Sequence, residues 1–375
     1  MKKLKKISFA SFFLITLILV LSSVTVHGVE VTATITLEKP GGYYGIAYDS
    51  GKSEIFVANG DFHLVYVISD SNNAVVAEIP VGSKPVGVAY DSAKGEVFVT
   101  NFASDSVSVI SDSTNTVIAN IAVESQPIAV AYDSGKGEIF VANYNSSSVS
   151  VISDSTNIVV ANITVGSQPC AVAYDSGTGE IFVGHAASDR ILVISDSTNA
   201  VVANVTVGIQ PLSLAYDSGS GEIFVANHNS SSVSIISDST KLVVATVKVG
   251  ANPTGVAYDS DNGQVFVANY NSKSVSVISS SNNTVIANLT LKNQPQGGIC
   301  YDSGKKEIFL TYSESNRVSV ISTSSLPLPS PSFPEFPPLA ILPVFILMLT
   351  IIAIIGLRNS KNQMKIILPN EDYSP

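Results

Sequence analysis

The sequence predicts an all-β, seven-bladed β-propeller with four-stranded blades and an N-terminal strand closing the last blade. Three observations carry that prediction. One unit recurs seven times at a near-constant spacing, each unit holds four strand-like blocks, and the array begins with an extra strand and ends one strand short.

The tetrad Ala-Tyr-Asp-Ser places its tyrosine at Tyr48, Tyr90, Tyr132, Tyr174, Tyr216 and Tyr258, 42 residues apart. A seventh copy, Cys300-Tyr301-Asp302-Ser303, follows after 43 residues, the extra residue lying between Pro295 and Tyr301. In the third unit the tetrad is followed by three further blocks: Glu138 to Asn143, Val149 to Asp154 and Val159 to Val165. Each block is short, rich in Val and Ile, and bounded by Gly, Asp, Asn or Pro, which are strand and turn signals. None shows a 3.6-residue period, and a proline recurs in each unit, so helical repeats are excluded. Four strands in about 40 residues is the pattern of a propeller blade. Ile139-Phe140-Val141-Ala142 is apolar on both faces and must be covered on both sides, as a sheet between neighbouring blades is. The third and fourth blocks alternate with Ser, Thr and Asn, which places them nearer the rim.

The seventh unit stops after Val318-Ser319-Val320-Ile321, where its fourth strand is missing. An orphan block, Val31 to Leu37, lies before the first unit and resembles the missing strand. Pairing the two closes the ring and removes the open edges that proteins avoid.

Five segments follow from this reading: a signal peptide over 1–28, the propeller over 29–323, a Ser/Pro-rich stalk over 324–338, a transmembrane helix over 339–357 and a basic cytoplasmic tail over 358–375. Lys2, Lys3, Lys5 and Lys6 precede an apolar run from Ile7 to Leu21, the n- and h-regions of an export signal cut after Gly28. The second apolar run, from Leu339 to Leu357, would reach about 28 Å as a helix, close to the thickness of a bilayer core. Arg358, Lys361 and Lys365 after it predict that the tail is cytoplasmic and the propeller lies on the extracellular side, at the cell surface.

The net charge of −10 argues against a nucleic-acid partner. Two cysteines, Cys170 and Cys300, fall on inner strands far apart on the ring, beyond disulfide reach. No metal-ligand spacing, phosphate loop or dinucleotide fingerprint occurs, so no cofactor, metal or catalytic residue is expected.

Phe98-Val99-Thr100-Asn101, Phe140-Val141-Ala142-Asn143 and Phe266-Val267-Ala268-Asn269 resemble the Tyr-Val-Thr-Asn signature of YVTN-repeat β-propellers, found in many archaeal surface-layer proteins. The resemblance covers nearly all of 29–323 and implies a cell-surface propeller. Pro334-Glu335-Phe336-Pro337, with the apolar run and basic residues after it, resembles a PEF-CTERM sorting signal. That implies processing and a lipid anchor. The tail to Pro375 is longer than such signals allow, which leaves a plain transmembrane anchor equally open.

Within a near-identical repeat, variation marks candidate function. The position after the second strand reads Gly60, Phe102, Tyr144, Ala186, His228, Tyr270 and Ser313. The loops leading into the inner strands carry Lys84, Gln126, Gln168, Gln210, Asn252 and Gln294, on the same predicted face. Phe102, Tyr144, His228, Tyr270, Gln126, Gln168, Gln210 and Gln294 form the candidate binding face, a set of aromatics and amides suited to a protein or glycan partner. His185 and His228, in adjacent blades, are the one conceivable histidine pair for a propeller-type lyase, the alternative to a structural, adhesive or binding module or a ligand-sensing receptor head. The recurrent Asp49, Asp91, Asp133, Asp175, Asp217, Asp259 and Asp302 read as turn residues. Asn59, Asn101, Asn143, Asn227 and Asn269 read as loop caps. Glycosylation sequons occur at Asn145, Asn162, Asn204, Asn229, Asn282 and Asn288.

Overall fold

The computed structural model describes residues 29–312 and 315–323. The segments expected over 1–28, 324–338, 339–357 and 358–375 lie outside the described residues. Among the described residues no helix is long and apolar enough to cross a membrane.

Seven four-stranded antiparallel sheets are present. The third shows the pattern: Pro127–Asp133 lies innermost, then Glu138–Asn143, Ser148–Ser153 and Ile158–Thr164 at the rim. The seventh sheet combines Ile299–Asp302, Glu307–Thr311 and Arg317–Ser322 with Glu30–Thr36 from the other end of the domain. Ile35 pairs with Val318 and Glu30 with Ser322, so the closing strand predicted from the sequence seals the ring.

The core lies between blades. Seven apolar clusters occupy the seven boundaries, so no blade has a free face. At the boundary between the second and third blades, Phe98 and Val109 meet Ile139 and Val141. Phe56, Phe98, Phe140, Phe182, Phe224, Phe266 and Phe309 are all fully buried. This is why the second strands are apolar on both faces.

The third strands are not rim strands. Val149, Val151 and Ile152 are fully buried, and so is Ser150 between them. The serine is tolerated because its hydroxyl is satisfied. Asn143 donates from Nδ2 to Ser150 Oγ at 2.8 Å, and Ser150 donates onward to Asn162 Oδ1 at 2.6 Å. Asn101–Ser108–Asn120 and Asn269–Ser276–Asn288 repeat that relay. The asparagines ending the second strands are therefore cross-strand staples. Asn59 alone caps a loop, accepting from the amides of Asp61 and Phe62.

The fourth strand is the most exposed, and in all seven blades it carries a bulge. Val151 pairs with Ala161 and Ile152 with Val159, leaving Val160 unpaired and exposed. A bulge on an edge disrupts the ladder that a foreign strand would extend.

Candidate functional site on the loop face

The ring has two unlike faces. On the turn face, where first and second strands connect, each recurrent aspartate is fully buried. Asp133 Oδ1 accepts from the amides of Gly135 and Lys136 at 2.8 and 3.1 Å, which fixes the turn. The tyrosine of the next blade faces the same carboxylate. Burial and then Asp91 hold the Tyr132 phenol above its ordinary range, and burial and then Asp49 do the same to Tyr90. Tyr174, Tyr216 and Tyr258 repeat the arrangement with Asp133, Asp175 and Asp217, Tyr216 being pushed up to about 12. Tyr301 donates to Asp261 at 2.6 Å, and Tyr48 faces Asp302 across the closure. This belt holds blades together.

The opposite face carries the candidate residues, and one backbone bond positions most of them. Tyr144 N–H donates to the Gln126 carbonyl at 2.9 Å. Phe102 and Lys84, His228 and Gln210, and Tyr270 and Asn252 make the same bond at 2.9 Å. The lead-in residues Lys84, Gln126, Gln168, Gln210 and Asn252 have φ between 55° and 61°, a left-handed conformation just before each recurrent proline. Phe102, Tyr144, His228 and Tyr270 are all half-buried, and Lys84 Nζ lies 5.0 Å from the centre of the Phe102 ring. Such a contact adds a cation to the aromatic surface.

Gln294 departs from the set. The extra residue before Tyr301 breaks the repeat, and the inner strand of the seventh blade starts only at Ile299. Gln294 lies in a cleft with Lys273, Lys292 and Tyr312, away from the axial cavity. Ser313 lies outside the described residues. His185 and His228 do not form a pair. His185 Nε2 lies 3.0 Å from the Val165 carbonyl, whereas His228 Nδ1 lies 3.3 Å from that of Pro253 in the next blade. Burial lowers the pKa of both.

An axial cavity of about 430 Å³ is lined by all seven inner strands. Its lining includes a position that sequence reasoning missed. In blades three to six a bulge leaves the residue after the proline unpaired: Ile128, Cys170, Leu212 and Thr254. Tyr44, Val86 and Gln296 occupy the same station in the other blades. The signal was present in the sequence, since this position also varies inside the repeat. The close approach of the inner strands needs small residues behind it: a Cβ on Gly87 would lie 2.8 Å from the Ile128 carbonyl oxygen. Burial pushes the Cys170 thiol up to about 12, and its Sγ lies 3.2 Å from the Pro211 carbonyl. Both cysteines are free.

In the first blade Gly60 makes room for an aromatic ring rather than leaving a gap. A Cβ there would lie 2.7 Å from the Tyr44 ring. Tyr44, Phe102, Tyr144 and Tyr270 thus give the face four rings from four blades. These groups can stack on apolar or sugar surfaces and donate or accept hydrogen bonds. Among the described residues no three His, Cys, Asp or Glu side chains gather as a metal-binding set.

The NHL repeat profile matches residues 251–278, from the sixth blade's lead-in loop through most of its third strand. The chain is a β-propeller repeat protein. Among curated proteins none matches it in sequence. Solved structures that match number 1728 chains, so the architecture by itself assigns no activity. One of them, Kuenenia stuttgartiensis hydrazine synthase, is 19% identical with a TM-score of 0.69, covering 79% of this chain and 99% of that one. At that identity the likeness speaks for the fold alone.

Proposed function

We propose that this protein is an exported recognition module, tethered at the cell surface, that holds a protein or glycan partner on its loop face. The observation that carries this reading is the contrast within one repeat. The turn-face residues are nearly invariant, while the half-buried positions at 102, 144, 228 and 270 change chemistry on the same backbone frame. A frame held constant under a varied surface suits binding, and binding without catalysis is the role we assign. The NHL match supports the same reading, since propellers of that kind commonly serve in protein interaction.

Export and anchoring rest on the charged and apolar segments at the two ends. Glu30 and Ser322 are paired neighbours, and Thr323 bonds to Lys306 in a turn between first and second strands. Both ends of the described domain therefore lie on the turn face, opposite the candidate loop face. The sequon asparagines 145, 162, 204, 229, 282 and 288 are all exposed, which suits glycosylation during export.

The test is a binding comparison on a panel of glycans and on solubilised proteins of the native envelope. The quadruple variant Phe102→Ala, Tyr144→Ala, His228→Ala, Tyr270→Ala is expected to lose at least tenfold in affinity for whichever partner the wild type retains, with unfolding unchanged. Retention of that partner at wild-type affinity would refute the reading.

A further inference from the structure

A cleft of about 630 Å³ lies where the ring is sealed, between the outer part of the sixth blade and the strand Glu30–Thr36. Its size falls within the range of small-molecule sites. Three departures from the repeat converge there. Lys292 stands where other units have Gly82, Gly166, Gly208 and Gly250. Tyr312 stands where five units have asparagine and one has His185, and Arg317 where four have serine, one Leu64 and one Arg190. Glu124 stands at the same station as Lys292 before the third blade, beside an intact Asn143, so the station accepts a long side chain. Tyr312 takes over the staple, its hydroxyl lying 2.9 Å from Ser319 Oγ.

We propose that this cleft binds an anionic saccharide of one or two units. Lys292 and Arg317 would hold its acid group, and the ring would rest on Leu289 beside Thr34 and Asn293. Both cations are exposed, and neither has an ion-pair partner among the described residues, although the chain is acidic. A guanidinium left open in this way presents a planar fork matched to carboxylate or phosphate. The one carboxylate of the cleft, Glu30, lies at its far end. Thr36 pairs with Arg317 while Glu30 pairs with Ser322, a separation of about 20 Å along the strand. Lys273, in the adjoining cleft that shares Lys292 and Asn293, adds a third positive charge. Ring closure accounts for the missing and extra strands, but it calls for no lysine or arginine at these stations.

The site is separate from the loop-face aromatics, and its test is separate too. Titration calorimetry on the full chain would use glucuronate, glucose 6-phosphate and neutral glucose as probes. Saturable binding of either acidic sugar, at least tenfold tighter than glucose, is expected, and the acid preferred tells carboxylate from phosphate ligands. Lys292→Gln with Arg317→Gln should weaken it at least tenfold. Lys52→Gln on the turn face should leave it unchanged. Absence of saturable binding, equal binding of glucose, or an unaffected double variant would each overturn the proposal.

Discussion

The turn face and the loop face come from the same 42-residue unit, yet they are governed by different demands. On the turn face one tyrosine and one aspartate recur in every blade, because each pair bridges a boundary and every boundary must close alike. On the loop face the backbone bond recurs but the side chain above it does not. Repetition in this molecule marks what holds the ring, and the loop-face positions are the ones that vary on it.

The severest challenge to that contrast is removal of residues 29–38. The closing strand, with Ile35 and Leu37 buried against the first blade, would be lost. The expected outcome is loss of cooperative unfolding for the whole domain, seen by circular dichroism during heating, and an unchanged transition would break the account of closure. Next in size is Phe140→Ala, which empties a fully buried site and should cost about 3–5 kcal/mol in denaturant unfolding. Asn143→Ala, which strips the staple from buried Ser150, should cost about 1–3 kcal/mol by the same measurement. Tyr144→Ala, one residue along but on the loop face, should change stability by less than about 0.5 kcal/mol. A large loss at Tyr144 would mean that the varied positions also serve the frame.

Acidity gives the smallest and most diagnostic difference. Burial is the leading cause that raises Glu54, Glu96, Glu138, Glu222 and Glu307, along with Asp70, Asp112 and Asp196, all on the turn face. A raised carboxyl takes up its proton more readily folded than unfolded. The stability it contributes is fully present below the unfolded range near pH 4 and is lost as pH rises through the folded value. His185 and His228 act in the opposite sense, since their lowered values favour the folded state above about pH 6.5 and lose that advantage on acidification. Eight carboxyls against two imidazoles predict a higher thermal midpoint at pH 5 than at pH 7. Glu138→Gln should reduce that difference, and a midpoint that falls on mild acidification would show that the turn-face carboxyls do not dominate.

The blade count, the closing strand and the buried phenylalanines were legible because each follows from spacing and from apolarity on both faces. The serines of the third strands were not, since Ser150 looks like a rim residue until Asn143 is seen to satisfy it. Nor was the inward turn of Ile128, Cys170, Leu212 and Thr254, because a bulge leaves no mark in composition. Gln294 was placed by extrapolating the repeat across an inserted residue, and the structure shows how far one residue moves it.

The pairing of Glu30–Thr36 with Arg317–Ser322 also dictates an order of events. The strand synthesised first is the one that must wait longest, because its neighbour is the last part of the domain to be made. During synthesis the earlier blades can stack in sequence, but the circle cannot lock until the final strand has been made. A chain stalled before Arg317 would present an unmatched sheet edge to quality-control proteases, so the seam doubles as a checkpoint for complete synthesis.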